Sequence, residues 1–436
     1  MAGKTMDVFG QEELLVLTNE ERRYLGLEPL RAELEPVVYT SKTNYWHTRV
    51  VAYFDGDTIV KVSVVMLRRL EDGTVNYKDY TEYDTCLATQ ERSLLLPLTA
   101  RGKPKKLTAS SIQSVTPFGC RFYLIFDHRH GDTLIGMDNL RGNKSFPMGE
   151  WERAEAIRSV TDFHAFMDYY MATCPKDYFE KLEAYRNAPK VTVKYRPGDI
   201  FRMELDRTRY CYGIITGVVK DLRKLPELPE EHSLRTLMMV PLMVRFFQGA
   251  TEDPDLKAEQ LRNFPLGPVQ IVGDNDIIWG THTIVDHRQL EPDDLQFHFV
   301  CTKRKGRSEH LTMFSQDMLM GDGLLKMGEY SLYIEWGFAH TEVPFGAVPQ
   351  RLRERLEEYS SPHGGVAMGI DPRFALPDGP WTEYVTHRND LLAPHNRAFL
   401  EEIFACLGLP PDTDFDTFAG AFGGLTRAQI LKRMKK

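Results

Sequence analysis

The polar stretch Asp274–His287 contains the side chains of this sequence whose types and spacing best suit chemistry. It reads Asp-Asn-Asp-Ile-Ile-Trp-Gly-Thr-His-Thr-Ile-Val-Asp-His, and its candidate ligands are Asp274, Asp276, His282 and His287. Asp276–Trp279 is predicted as a strand, and alternate side chains of a strand share a face, so Asp274 and Asp276 would lie together. Carboxylates and imidazoles bind divalent metals, and a bound metal activates water. One hypothesis is therefore a metal-dependent phosphoester or phosphotriester hydrolase.

A purely structural interpretation explains the same stretch. Asp-Asn is ordinary turn chemistry, and Trp279-Gly280 is ordinary packing. Buried polar groups are nearly always paired, so His282 and His287 would make hydrogen bonds that stabilise the fold. The sequence contains no nucleophile elbow, phosphate loop or His-Glu-x-x-His motif. This interpretation is preferred, and it assigns no catalytic residue, metal ligand or cofactor.

The elements that must position this stretch begin with Lys194–Val219. Apolar and charged residues alternate from Phe201 to Asp206, which is the period of a half-buried strand. Pro197-Gly198-Asp199 predicts a turn before that strand. Tyr210–Val219, rich in aromatic and β-branched residues, predicts a second strand. Gly213 interrupts it, as expected at a sharp bend or a close approach.

A family resemblance enters at these residues. The string Tyr195-Arg-Pro-Gly-Asp-Ile-Phe201, followed by Tyr210-Cys-Tyr-Gly-Ile-Ile215, resembles the opening of the bacterial immunity protein 26 family. The resemblance covers about residues 191–301, and the family is also described as phosphotriesterase-related. It supplies no catalytic residues. It implies a non-catalytic protein that binds a protein partner such as a toxin, in a toxin–immunity or defence system.

Composition favours an ordinary cytoplasmic protein. The 436 residues have a net charge of −8, from 62 acidic and 54 basic residues, whereas a duplex-DNA binder usually has a basic surplus. Nucleic-acid binding is therefore not expected. No apolar run approaches the roughly eighteen residues of a membrane span, and the N-terminus does not resemble a secretory signal. Six scattered cysteines without C-x-x-C spacing are typical of a reduced compartment.

The whole chain is predicted to be β-rich α+β. Four parts are expected: an N-terminal β-rich domain (1–146), a helical connector (147–190), a central small antiparallel sheet or barrel (191–303) and an α/β C-terminal extension (304–436). Leu295–Cys301 is predicted to complete the central set of strands. Whether Tyr330–Trp336 joins that set stays open. The sequence identifies neither partner-binding residues nor an oligomeric state.

Overall fold

The computed structural model describes residues 14–43, 45–96, 103, 105–114, 119–128, 132–146, 148–230, 232–237, 240–305, 330–359, 370–376, 391–392 and 396–434. The chain divides into two compact units, Met1–Val191 with Asp206–Thr208, and Thr192–Leu205 with Arg209–Lys436. Each combines antiparallel sheets with helices, so the predicted β-rich α+β class is confirmed. The division into four parts stays a prediction.

The first unit is built on an antiparallel sheet, here the N-terminal sheet. Its strands are β1 (Glu35–Lys42), β2 (Trp46–Asp55), β3 (Thr58–Arg69), β4 (Val75–Gln90), β5 (Leu94–Leu95), β6 (Lys105–Lys106), β7 (Cys120–Asp127), β8 (Asp132–Asn139) and β9 (Lys144–Phe146). They follow the order β1-β2-β3-β4-β7-β8-β9, while β5 pairs with β4 and β6. The helices are α1 (Asn19–Tyr24), α2 (Ala109–Gln113), α3 (Trp151–Glu155), α4 (Val160–Ala172) and α5 (Tyr178–Arg186).

Local sequence explains how the helices of this unit begin and which face they bury. Thr18 and Glu21 form the reciprocal hydrogen bonds of a capping box at the start of α1. Apolar side chains of α4 and α5 join one core with the N-terminal sheet, in which the rings of Phe122 and Phe163 lie 5.5 Å apart. Burial of this apolar face is the main stabilising contribution to such short helices.

Three charged side chains, Arg22, Lys61 and Glu82, are buried beside that core, and Asp84 next to them is half-buried. Arg22 donates from Nε to Glu82 Oε1 over 2.6 Å and from Nη2 to Glu82 Oε2 over 3.2 Å. Lys61, only 2% exposed, contacts Asp84 and lies 3.6 Å from Glu82. Burial raises the pKa of Asp84, and the Lys61 ammonium opposes that rise. These residues form the buried ion network of the first unit.

The second unit contains two further antiparallel sheets. The central sheet has β10 (Asp199–Glu204), β11 (Tyr210–Val218), β12 (Pro241–Thr251), β13 (Leu266–Gly273) and β14 (Thr283–His287), in the order β13-β12-β11-β10-β14. The C-terminal sheet has β15 (Phe299–Lys305), β16 (Tyr330–Trp336) and β17 (Ala339–Pro344), in chain order. The described strands of the central sheet follow an open path, so the predicted sheet is correct and the barrel form is wrong.

Short helices connect or cover these strands. They are α6 (Val219–Leu222), α7 (Ser233–Thr236), α8 (Ala258–Leu261), α9 (Asn275–Ile278), α10 (Gln350–Tyr359), α11 (Arg397–Cys406), α12 (Phe415–Ala421) and α13 (Arg427–Met434). Single 3-10 turns span Pro292–Asp294, Phe345–Ala347 and Pro372–Ala375.

The predicted hairpin is present as β10 and β11. Gly198 in the preceding turn has φ +94°, and a β-carbon there would lie 2.3 Å from the Arg288 carbonyl oxygen, so the turn requires glycine. Gly213 is paired with Phe201 across the hairpin, and a β-carbon at 213 would lie 2.4 Å from Phe201 Cζ. The close approach expected at Gly213 is therefore made by an aromatic ring.

Two strand predictions are wrong. Asn275–Ile278 is a helical turn, closed by Ile278 N–H donating to the Asp274 carbonyl oxygen over 2.9 Å. Asp276 therefore does not follow Asp274 along an extended strand. Phe299–Lys305 pairs with Tyr330–Trp336 and so belongs to the C-terminal sheet. Strand pairing depends on contacts distant in sequence, which alternation alone does not reveal.

The central sheet is covered on both faces by residues of the second unit. One face, which includes Ile214 and Met243, shares a core with the C-terminal sheet and with α11–α13. The other face, which includes Phe201 and Phe246, packs against α9 and Ile370–Leu376. Residues C-terminal to the central sheet therefore complete both of its cores.

Candidate partner-binding surface

The structure gives each candidate ligand of the polar stretch a partner within the fold. Tyr195 Oη donates to Asp274 Oδ2 over 2.6 Å. Burial, followed by this hydrogen bond, raises the pKa of Tyr195. The carboxylate of Asp276 accepts from Ile370 N–H over 2.8 Å. Asp274 and Asp276 thus contact different parts of the chain.

His282 is buried, with 8% of its surface exposed. Its Nε2 lies 3.2 Å from the Ile370 carbonyl oxygen, to which it donates as the Nε2–H tautomer, and its ring stacks on Phe201 at 6.3 Å between centroids. Burial lowers the pKa of His282, although Asp276 and Asp371 nearby oppose that change. Burial therefore favours the neutral imidazole, and His282 makes the hydrogen bond expected from the sequence.

His287 has a partner that the sequence did not indicate. Its Nδ1 lies 2.8 Å from Asp199 Oδ1, and the two residues face each other across β10 and β14. Asp199 also accepts from Arg196 N–H over 2.9 Å, so the Pro-Gly-Asp turn and β14 are joined through one carboxylate. The sequence marked Asp199 only as a residue of the Pro197-Gly198-Asp199 turn. That motif did not indicate its contact with His287.

The four candidate ligands do not converge on one point. Within the described part of the chain, no group of three or more His, Cys, Asp or Glu side chains is arranged to hold a metal ion. Their contacts instead stabilise three parts of the fold: the turn before β10, α9 and the segment Ile370–Leu376. The residues that make these contacts are Asp274, Asp276, His282 and His287.

A second polar feature of the same region is exposed. Residues Glu252–Gln260, here the acidic excursion, connect β12 to α8 and include four exposed carboxylate side chains: Glu252, Asp253, Asp255 and Glu259. Lys257 is the one basic residue among these nine positions, which read Glu-Asp-Pro-Asp-Leu-Lys-Ala-Glu-Gln. The excursion therefore presents a negative surface beside the central sheet.

The backbone of the acidic excursion is fixed by the sheet. Tyr212 Oη donates to the Asp253 carbonyl oxygen over 2.8 Å, and Arg202 Nη1 donates to the Pro254 carbonyl oxygen over 2.7 Å. Ala258 N–H donates to Asp286 Oδ2 over 2.9 Å, and backbone hydrogen bonds of this kind lower the pKa of Asp286. A surface fixed in this way loses little conformational entropy when a partner binds.

The β10–β11 hairpin, the turn before it and the acidic excursion lie within a segment that matches a known family model. Residues 196–310 match the family model of Immunity protein 26. The match confirms the resemblance seen in the sequence, and it spans about a quarter of the chain. The matched segment contains the whole central sheet, together with β15.

Comparison with curated proteins and with solved structures found no match. Within the described residues, every helix is too short or too polar to cross a membrane.

Proposed function

We propose that this chain is a cytoplasmic immunity protein of a bacterial toxin or defence system, which binds a protein partner such as a toxin without catalysis. The match of residues 196–310 to Immunity protein 26 is the observation on which the proposal rests. The partner binds the acidic excursion through a positively charged surface. A toxin whose catalytic cleft binds an anionic substrate has such a surface.

Charge supports this choice of partner. The excursion exposes four carboxylates on a fixed backbone, and the whole chain has a net charge of −8. Opposite charges on two proteins accelerate their encounter and favour correct orientation. We therefore expect the charges of the acidic excursion to change the association rate more than the dissociation rate.

The alternative function, a metal-dependent phosphoester or phosphotriester hydrolase, finds less support. It requires Asp274, Asp276, His282 and His287 around one ion, whereas each is engaged with a different group. His282 in particular is buried against Phe201 and donates to a backbone carbonyl oxygen.

Growth protection tests the proposal. The full chain is co-expressed with each candidate toxin encoded beside its own gene, and complex formation is measured by surface plasmon resonance. We expect restored growth and a stable complex with one candidate. Absence of protection and of binding for all the candidates would contradict the proposal.

A matched pair of variants locates the surface. Glu252→Gln with Glu259→Gln removes two exposed charges from the excursion, and Glu230→Gln with Asp412→Asn removes two exposed charges elsewhere in the second unit. We expect slower association only for the first variant, with the difference shrinking as salt screens the charges. Equal rates for both variants would place the partner elsewhere.

A further inference from the structure

A short segment occupies the apolar face of the central sheet that the C-terminal core leaves uncovered. This segment, here the strap, is Ile370–Leu376, with the sequence Ile-Asp-Pro-Arg-Phe-Ala-Leu. Ile370, Phe374 and Ala375 are 5%, 8% and 0% exposed and belong to the same core as Phe201.

Side chains of the central region bind the backbone of the strap. Asp276 Oδ2 accepts from Ile370 N–H over 2.8 Å, while His282 Nε2 donates to the carbonyl oxygen of the same residue over 3.2 Å. Gln248 Nε2 donates to the Phe374 carbonyl oxygen over 3.2 Å. These hydrogen bonds are made to backbone groups that every peptide has. They fix the position of the strap along the face.

Apolar side chains of the sheet and of α9 determine which side chains of the strap fit this face. The Phe374 ring lies 5.6 Å from the Phe246 ring, centroid to centroid. Val272 and Ile277 line the same core, and both are fully buried. An aliphatic side chain and an aromatic side chain four positions later therefore pack on this apolar face. Side-chain contacts of this kind are the usual source of specificity when peptide backbones are bound.

The strap also fixes its own shape. Asp371 accepts from Arg373 N–H over 2.8 Å and pairs with the Arg373 guanidinium over 2.6 Å. Pro372 begins the 3-10 turn Pro372–Ala375, where its restricted φ suits a first helical position. All of these contacts are local, so a short peptide of this sequence contains both partners of each of them.

We infer that this face of the central sheet is a peptide-binding groove and that the strap occupies it as an intramolecular ligand. The groove, formed by Phe201, Phe246, Gln248, Asp276 and His282, takes a partner peptide with an aliphatic residue followed four positions later by phenylalanine. Such a peptide displaces the strap. The inference is independent of the acidic excursion and of the toxin proposed above.

Hydrogen exchange in the unmodified chain tests whether the strap detaches. Amide exchange is followed by mass spectrometry of fragments covering the strap and β12. A displaceable strap opens without the sheet, so its amides are expected to exchange at least about tenfold faster than those of Val244 and its neighbours. Equal rates would show that the strap opens only when the sheet unfolds, and would overturn the inference.

Peptide binding tests the groove directly. The probe is a fluorescent synthetic peptide with the strap sequence, and binding to full-length protein is measured by anisotropy. Phe374→Ala weakens the intramolecular ligand, so this variant is expected to bind the probe at least about tenfold more tightly than the wild type. A control peptide with alanine in place of its phenylalanine is expected not to bind.

Two results would refute the groove. One is a folded Phe374→Ala protein, with a cooperative melt, that does not bind the probe. The other is equal binding by wild type and variant, which would place the probe outside the groove. Ile370→Ala, a milder change at the other anchor, provides the same readouts if Phe374→Ala does not fold. Growth protection does not enter these measurements, so their failure is separate from failure of the toxin proposal.

Discussion

Two polar sites, one in each unit, are satisfied in different ways. In the first unit, Arg22 and Glu82 pair charge with charge deep beside the core. In the second, side chains bind backbone: half-buried Asp276 and buried His282 hold both polar groups of Ile370. A charge network is specific to its own members, whereas a backbone contact is available to any peptide that fits. The first arrangement stabilises a fold, and the second also suits recognition.

Arg245, also in the second unit, likewise binds backbone. Its guanidinium donates to the carbonyl oxygens of Gly267 and Asp293, each over 2.8 Å, and burial lowers its pKa. Carbonyl oxygens therefore replace the carboxylate partners that Arg22 has in the first unit. We therefore expect loss of the Glu82 carboxylate to cost more than loss of the His282 donor.

The largest expected effect is that of Glu82→Ala. It leaves the Arg22 and Lys61 charges buried without their shared carboxylate, so the first unit is expected to lose about 3–5 kcal/mol of unfolding free energy. Urea unfolding followed by fluorescence measures this loss. Asp55→Ala, which breaks the exposed Arg31–Asp55 pair, is the control and is expected to leave unfolding almost unchanged. A similar small effect for both variants would contradict the distinction between the units.

A smaller effect is expected from His282→Ala. The lost donor leaves the buried Ile370 carbonyl oxygen unpaired, a cost of about 1–3 kcal/mol in the second unit. His287→Ala, at the more exposed pair with Asp199, is the matched control and is expected to cost less. Elemental analysis of the same samples tests the hydrolase alternative. A metal present in wild type and lost in His282→Ala, with an unchanged melting temperature, would favour the enzyme.

The His282 environment also predicts a pH dependence. Its pKa is lowered from 6.5 by burial, so below that pH the unfolded chain binds the proton more readily than the folded chain. The stability of the second unit is therefore expected to fall as pH decreases below about 6.5, despite the opposing charges of Asp276 and Asp371. His282→Gln retains a donor without the titration and should flatten this part of the curve. Thermal melts between pH 5 and 8 would show whether it does.

The smallest expected effect on stability is that of Glu252→Gln with Glu259→Gln. Both side chains are exposed, so the free energy of unfolding should change by less than about 0.5 kcal/mol. The melting temperature of this variant is compared with that of the Glu230→Gln, Asp412→Asn control. Equal values would show that any loss of partner binding is electrostatic. A large loss of stability would mean that these carboxylates support the excursion.

Local patterns were the predictable part of this fold. The alternation from Phe201 to Asp206 predicted a strand, and Pro197-Gly198-Asp199 predicted the turn before it. Both depend on neighbours a few residues away. Alternation failed at Asp276–Trp279, because one helical turn after Asp274 is as compatible with that short apolar run as a strand.

The candidate site was less predictable because its partners are distant in sequence. Asp276 and His282 were singled out for their chemistry, but Ile370 lies 94 and 88 residues beyond them. The strap is too short for a periodic pattern. Asp199 was likewise visible as a turn residue, while its contact with His287 depends on the pairing of β10 with β14.

The approach of the Phe201 ring to Gly213 limits how related sequences diverge. The ring occupies the space that any side chain at 213 would need, so the two positions act as one packing unit. A relative with alanine or a larger residue at 213 is expected to have a smaller residue at 201. Compensatory substitution at this pair would therefore preserve the hairpin while either change alone would disrupt it.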